Sequence, residues 1–136
     1  MNSSAQPRPD PGPEPPTILV ADDNEDCRVA LRTLLEAIGY RVLEAGDGEG
    51  AVAVTRSERP DLVLMDIMMP GVDGLEAARR IRDLDEEDVA STRIVALSAM
   101  EGARQASLTA GCQDCVVKPI DLGRLSSLIE EWLEAD

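Results

Sequence analysis

Several short apolar runs of this chain end in polar or charged side chains that could do chemistry. The clearest case is Asp66, which closes the apolar run 62–65. That run is too short for a helix and is typical of a strand buried on both faces of a parallel sheet. A carboxylate at the carboxyl end of such a strand lies at the rim where open α/β sheets bind ligands. Asp66 is therefore a candidate for chemistry, although a residue that merely caps a loop would look the same.

Three other predicted strands also end in polar residues, and the full candidate set is Asp22, Asp23, Asp66, Ser98 and Lys118. If the strands are parallel, these residues converge on one edge of the sheet. Clustered carboxylates repel one another, and a divalent cation would relieve that repulsion. Oxygen ligands suit Mg²⁺ or Mn²⁺ rather than zinc. With such an ion bound, Lys118 and Ser98 could hold phosphoryl oxygens while Asp66 acts as nucleophile, which would make this a phosphoaspartate site.

The elements that must position these residues alternate between strand and helix. Strands are predicted at 18–21, 41–45, 61–66, 93–97 and 115–117. A helix should follow each strand: Asn24 or Asp23 caps the first, the fourth covers about 102–110, and Asp121 caps the last. The inner face of the first helix is predicted to carry Ala30, Leu31, Leu34, Leu35 and Ile38. Residues 83–92 read as an irregular acidic connection. Because parallel neighbours need crossovers, the pattern predicts an α/β fold, a doubly wound (βα)₅ sheet of five parallel strands.

Composition excludes several classes of function. The 136 residues carry 13 basic and 27 acidic side chains, and the net charge of −14 disfavours direct binding to nucleic acid. The chain has no histidine, which excludes a His-based triad or a phosphohistidine of its own. Residues 1–16 hold six of the nine prolines and no apolar run, which predicts a disordered arm before a domain at 17–136. No signal peptide or membrane span is evident, so a cytoplasmic protein is expected.

Three cysteines are present, and Cys112 and Cys115 form a Cys-x-x-Cys pair. An odd number of cysteines without an export signal argues for reduced thiols. A zinc site would need two more ligands, which only Cys27 or carboxylates could supply, and a redox pair would normally follow a strand and open a helix. The favoured interpretation is that the pair are ordinary small apolar residues, with redox or metal chemistry as the alternative.

The motifs together resemble a response-regulator receiver domain of bacterial two-component signalling over about residues 17–132. They are Ile-Leu-Val-Ala-Asp22-Asp23-Asn, Leu-Met-Asp66-Ile-Met-Met-Pro-Gly-Val-Asp-Gly74, Ala-Leu-Ser98-Ala99 and Lys118-Pro119, in the order of that family. The resemblance implies a flavodoxin-like fold with strand order 2-1-3-4-5 and a cis peptide bond between Lys118 and Pro119. It also implies a signalling module rather than an enzyme, which receives its phosphoryl group from a histidine kinase or a histidine phosphotransfer protein.

The same resemblance implies a role for each site residue. Asp66 would be the phosphoacceptor, Asp23 a direct Mg²⁺ ligand and Asp22 a ligand through water, with the Met68 carbonyl completing the metal site. Ser98 and the Ala99 amide would hold phosphoryl oxygens, and Lys118 would pair with the phosphoryl group. Met68 and Met100 flank the path of attacking water in such sites, so slow hydrolysis of the acyl phosphate is expected.

One position departs from the family pattern. Three residues before Lys118, where the family usually has a Tyr or Phe that follows the Ser98 hydroxyl on phosphorylation, this chain has Cys115. We therefore expect a weaker or differently built coupling between Asp66 and the surface of the fourth helix, fifth strand and fifth helix.

Other interpretations compete with the receiver. A Mg²⁺-dependent phosphohydrolase of the haloacid-dehalogenase type would need a second Asp where Met68 stands. A nucleotide or flavin binder would need a different glycine spacing from that of residues 46–50. A phosphate-independent receiver-like interaction module is favoured by Cys115 and opposed by the intact polar set. The chain is expected to act as a stand-alone regulator, although parts of its pattern are reminiscent of receivers fused to hybrid kinases. It should signal to a protein target or by onward phosphotransfer, as a monomer or weak homodimer.

Overall fold

Five apolar runs form the strands of one parallel sheet in this computed structural model, which describes residues 14–134. The strands are β1 (Thr17–Ala21), β2 (Arg41–Ala45), β3 (Leu62–Asp66), β4 (Arg93–Ser98) and β5 (Asp114–Val117). Their order across the sheet is β2-β1-β3-β4-β5. Both the parallel sheet and its strand order confirm the prediction. The predicted arm at 1–16 lies, except for 14–16, outside the described residues.

Helices cover both faces of the sheet. They are α1 (Glu25–Ile38), α2 (Gly48–Glu58), α3 (Gly74–Arg82), α4 (Glu87–Ala90), α5 (Arg104–Ala110) and α6 (Leu122–Glu134). Side chains alternate along β3, so that Leu62 and Leu64 pack with α1 and α6, whereas Val63 and Met65 pack with α2, α3 and α5. No helix within residues 14–134 is long and apolar enough to cross a membrane.

The structure corrects three local predictions. The connection at 83–92 contains the one-turn helix α4, in which Val89 is fully buried. The fourth predicted helix starts at Arg104 rather than at residue 102, and no side chain caps it. On α1, Leu31 and Leu35 are buried as predicted, but Ala30 and Ile38 are exposed because the inner face is narrower than the apolar stripe. Asn24, not Asp23, caps α1 by accepting the Cys27 N–H.

Candidate functional site

The predicted polar residues meet at the carboxyl edge of the sheet. Asp66 ends β3 and Ser98 ends β4, while Asp22 and Lys118 directly follow β1 and β5. Because β1, β3, β4 and β5 are parallel and adjacent, these strand ends are neighbours in space. The sequence-based expectation that they converge is confirmed for the three carboxylates and the ammonium.

Lys118 joins two buried carboxylates. Its Nζ lies 2.9 Å from Asp66 Oδ2 and 3.5 Å from Asp22 Oδ2. Burial raises the pKa of the Asp66 carboxyl above its usual value, although the hydrogen bond and charge of Lys118 oppose that shift. Burial alone would lower the pKa of the Lys118 ammonium, but its pairing with Asp66 and Asp22 outweighs burial and raises that pKa overall. A positive charge is thus fixed beside the desolvated Asp66 carboxyl group.

Three carboxylates at this edge could hold a metal ion. Oxygen atoms of Asp22, Asp23 and Asp66 all lie within 4.8 Å of one another, and this is the one such group found among residues 14–134. Asp22 and Asp66 are buried, whereas Asp23 is exposed and reaches the group from the solvent side. An all-oxygen donor set with an open side fits Mg²⁺ or Mn²⁺, which retain water ligands. The residues present therefore fit the predicted cofactor.

The loop after β3 holds the Asp66 side chain in place. Asp66 Oδ1 accepts the Met68 N–H at 3.1 Å, and the Met68 side chain is 63% exposed. Gly74 packs directly under this loop, where a Cβ atom would lie 2.2 Å from the Asp66 carbonyl oxygen. The chain can make this close approach because glycine has no Cβ. The metal-ligand role of the Met68 carbonyl remains a prediction.

Ser98 and Ala99 occupy the expected place at the end of β4, but neither forms a hydrogen bond with the Asp66 side chain among residues 14–134. The Ser98 Oγ accepts the Met100 N–H at 2.9 Å and donates to the Met100 carbonyl at 3.1 Å. The hydroxyl is thus turned into its own loop. Ala99 is exposed and lines a cavity of about 530 Å³ that also includes Asp22, Leu97 and Lys118. To donate to a phosphoryl oxygen, the Ser98 hydroxyl would have to give up its donation to the Met100 carbonyl.

Two of the cysteines lie close to the predicted output face. Cys112 is buried, and burial raises the pKa of its thiol to about 11, which keeps it protonated and disfavours a metal or redox role. Cys115 lies half-buried in β5 and packs against the core. The adjacent Asp114 carboxylate accepts the Trp132 Nε1–H at 3.1 Å and pairs with Arg104. One aspartate therefore ties α5 and α6 to β5.

Sequence reasoning missed Arg28 as a neighbour of the site. Its guanidinium donates to the backbone carbonyl of Asp22 at 2.8 Å and to Glu44 on β2 at 2.9 Å. The available signal was an arginine five residues after Asp23, which places it one turn into α1. The implied strand order already places β2 beside β1, but the spacing alone does not show that the Arg28 side chain reaches both Glu44 and the Asp22 carbonyl.

Comparison with known proteins agrees with the geometry. A family model described as the response regulator receiver domain matches residues 18–130. The polar-differentiation response regulator DivK of Brucella anthropi is 34% identical over 119 residues, which are 88% of this chain and 97% of that protein. The autoinducer 1 sensor kinase/phosphatase LuxN of Vibrio campbellii is 36% identical over 119 residues, 87% of this chain but 14% of LuxN.

Solved structures give the same result. The receiver domain of the sensor histidine kinase PA1611 from Pseudomonas aeruginosa, crystallised with a magnesium ion in its active-site cleft, is 32% identical with a TM-score of 0.79. The match covers 89% of this chain and 99% of that one. The Vibrio cholerae chemotaxis protein CheY4 is 25% identical with a TM-score of 0.78, covering 86% of this chain and 98% of that one.

Proposed function

The chain belongs to the response regulator receiver domain family of two-component signalling, and from that premise we propose that it is a phosphoacceptor response regulator in a His-to-Asp phosphorelay. Asp66 is the acceptor and Mg²⁺ or Mn²⁺ the cofactor. The observation that carries the proposal is the contact of Lys118 with both Asp66 and Asp22, beside three carboxylates within 4.8 Å. That arrangement combines a nucleophile, a fixed positive charge and a cation site.

The reaction transfers a phosphoryl group from a histidine of a kinase or phosphotransfer protein to Asp66. A carboxylate oxygen of Asp66 forms the new P–O bond as the P–N bond to the imidazole breaks, and the imidazole nitrogen keeps that electron pair. Lys118 moves from Asp66 Oδ2 onto a phosphoryl oxygen, and Ser98 Oγ and the Ala99 N–H bind the others. A divalent cation held by Asp22, Asp23, Asp66 and the Met68 carbonyl would neutralise developing charge when bound.

The surface next to the acceptor suits a protein donor. The cavity of about 530 Å³ beside Asp22 and Lys118 is lined by Leu31 of α1 and by Pro119 and Ile120 after β5. An apolar surface at the rim of a charged site can bind a partner while the partner's histidine reaches Asp66. The signal then leaves by contact with a protein target or by onward phosphotransfer.

Signal output must use other contacts than the usual aromatic residue. Cys115 is too small to fill the space that a Tyr or Phe would vacate, whereas Asp114 holds both Arg104 of α5 and Trp132 of α6. We propose that movement of β5 on phosphorylation is passed to these helices through Asp114. A phosphate-independent interaction module is the second candidate, favoured by Cys115 and by the engagement of Ser98 with Met100.

The test is intact-protein mass after incubation with acetyl phosphate, with Mg²⁺ and with a chelator. Wild type should gain a single phosphoryl adduct that requires the metal ion. Asp66→Asn should gain none, whereas Asp26→Asn, an exposed aspartate on α1, should behave as wild type. Binding of Mg²⁺ without any adduct would overturn the phosphoacceptor role and favour the interaction module.

A further inference from the structure

Arg28 links the edge strand β2 to the strand end that carries the acidic cluster. Its Nε donates to Glu44 Oε1 at 2.9 Å, its Nη1 donates to the Asp22 carbonyl oxygen at 2.8 Å, and its side chain is only 18% exposed. One acceptor on β2 and one directly after β1 therefore hold two nitrogen atoms of the guanidinium. A planar guanidinium bound at two points fixes the position of the Asp22 carbonyl more closely than a flexible lysine ammonium would.

The carbonyl that Arg28 binds belongs to the peptide unit between Asp22 and Asp23. The carboxylate of Asp22 is already held, because Oδ1 accepts the Asn24 N–H at 2.9 Å and Oδ2 faces Lys118. The carboxylate of Asp23 is exposed, and no residue within 14–134 forms a hydrogen bond or ion pair with it. The direction in which Asp23 projects is therefore set by its backbone, and Arg28 holds the peptide on its N-terminal side.

We infer that Arg28 is a positioning residue, which holds the Asp22–Asp23 peptide so that the Asp23 carboxylate reaches the divalent cation. This inference rests on the proposed function, because it concerns the same cation site. Glu44 serves Arg28 in turn: it accepts from Arg28 with one oxygen and from Arg32 with the other. Within residues 14–134, Arg32 forms ion pairs with Glu36 and Glu44 and none with Asp22, so it shares the Glu44 carboxylate with Arg28 without contacting the site.

The positive charge of Arg28 and its hydrogen bond to the Asp22 carbonyl should have opposite effects on the affinity of the site for a cation. A guanidinium beside three carboxylates repels a second positive ion, so removal of that charge alone should tighten cation binding. Loss of the contact with the Asp22 carbonyl should instead weaken binding, because Asp23 would have to be ordered when the ion binds. The direction of the change therefore identifies which effect dominates.

The experiment is a titration of the full chain with Mn²⁺, following free ion by electron paramagnetic resonance, for wild type, Arg28→Met, Arg28→Lys and Arg32→Met. We expect Arg28→Met to weaken Mn²⁺ binding about tenfold and Arg32→Met to leave it within about twofold. Arg28→Lys, which keeps the charge but can reach only one acceptor at a time, should be weakened by an intermediate factor. Circular dichroism at each titration temperature confirms that the variants are folded.

The outcomes separate this inference from the function on which it rests. Wild type that does not bind Mn²⁺ would overturn the proposed cofactor and, with it, the role of Arg28. Wild-type binding with equal or tighter binding in Arg28→Met would overturn the positioning role alone. If Arg28→Met does not fold, Arg28→Lys decides: unchanged affinity in that variant contradicts the inference, and weaker affinity supports it.

Discussion

Two partly buried cations lie at opposite ends of the sheet and are satisfied in different ways. At the carboxyl edge, Lys118 faces the ionisable groups Asp66 and Asp22. At the amino edge, Arg82 at the end of α3 donates to the Gly111 carbonyl at 2.7 and 2.9 Å and to the Ala90 carbonyl at 2.8 Å. No ion pair of Arg82 with a carboxylate is found among the described residues.

Their environments shift the pKa values of Arg82 and Lys118 in opposite directions. Burial lowers the pKa of Arg82, since backbone carbonyls do not repay the cost of desolvation as carboxylates do. The pKa of Lys118 is raised overall by its carboxylate partners. Arg82 joins the ends of α3, α4 and α5 through backbone carbonyls, which do not titrate. The partners of Lys118 are carboxylates, which, under the proposed function, would give way to a phosphoryl oxygen.

The largest expected effect comes from removing the cation at the carboxyl edge. Lys118→Met should slow adduct formation on Asp66 by about 100-fold or more, because a fixed positive charge is lost where negative charge develops. The substitution would also leave the buried carboxylates of Asp66 and Asp22 without their cation, which should lower the free energy of unfolding by roughly 1–3 kcal/mol. Time-resolved mass spectrometry and urea unfolding measure the two effects. Recovery of stability by added Mg²⁺ is expected, and failure to recover it would contradict the cation site.

Removing the cation at the amino edge should affect stability alone. Arg82→Met leaves the carbonyls of Gly111 and Ala90 without their donor and should lower the free energy of unfolding by about 3 kcal/mol. The adduct rate of the folded protein should stay within about twofold of wild type. Arg80→Met, which removes an exposed arginine of the same helix, serves as the control and should cost less than about 0.5 kcal/mol. A large loss of adduct rate in Arg82→Met would break the proposed separation.

Two glycines, Gly74 at the carboxyl edge and Gly111 at the amino edge, test the same difference between the two ends of the sheet. Gly74→Ala places a Cβ atom against the Asp66 carbonyl, a backbone group that cannot rotate away, and should cost about 2 kcal/mol and also slow adduct formation. Gly111→Ala meets the side chain of Arg82 and is strained by its φ of 107°. It should lower stability by about 1 kcal/mol and leave the adduct rate unchanged. Unfolding curves and mass spectra of both variants, compared with wild type, provide the measurement.

The smallest effect concerns the acid sensitivity of Asp114. Burial alone would raise the pKa of this carboxyl, but the Cys115 N–H, Arg104 and Trp132 lower it overall. A depressed folded pKa gives stability that is present above the ordinary aspartate value near 3.8 and is lost as pH falls through the folded value. Asp114→Asn should cost about 1 kcal/mol at pH 7 and flatten the fall of stability below pH 4. Urea unfolding of both proteins at pH 7, 4 and 3 measures this pH dependence. If the free energy of unfolding of Asp114→Asn falls with pH as steeply as that of wild type, the role of Asp114 is contradicted.

The sequence predicts what depends on pattern and misses what depends on three-dimensional contact. Apolar runs and the polar residues that end them are enough to predict the sheet, its edge and the cluster around Asp66. Helix α4 was missed because the stretch 83–88 is mostly acidic and gives no apolar periodicity. The one-turn helix is held by the packing of Val89, which the local sequence does not predict. The turn of Ser98 toward Met100 depends on loop dihedral angles. The contact of Arg28 with Asp22 and Glu44 depends on the neighbouring strand.

Lys118 is also the single lysine of the sequence, since the other twelve of the 13 basic residues are arginine. Amine-selective acylating reagents should therefore modify two groups at most, the α-amino group and this one. An ammonium held by two carboxylates is a poor nucleophile, because acylation requires the free amine and its pKa is raised. The rate at which the Lys118 amine is acylated would therefore report how strongly Asp66 and Asp22 hold the ammonium.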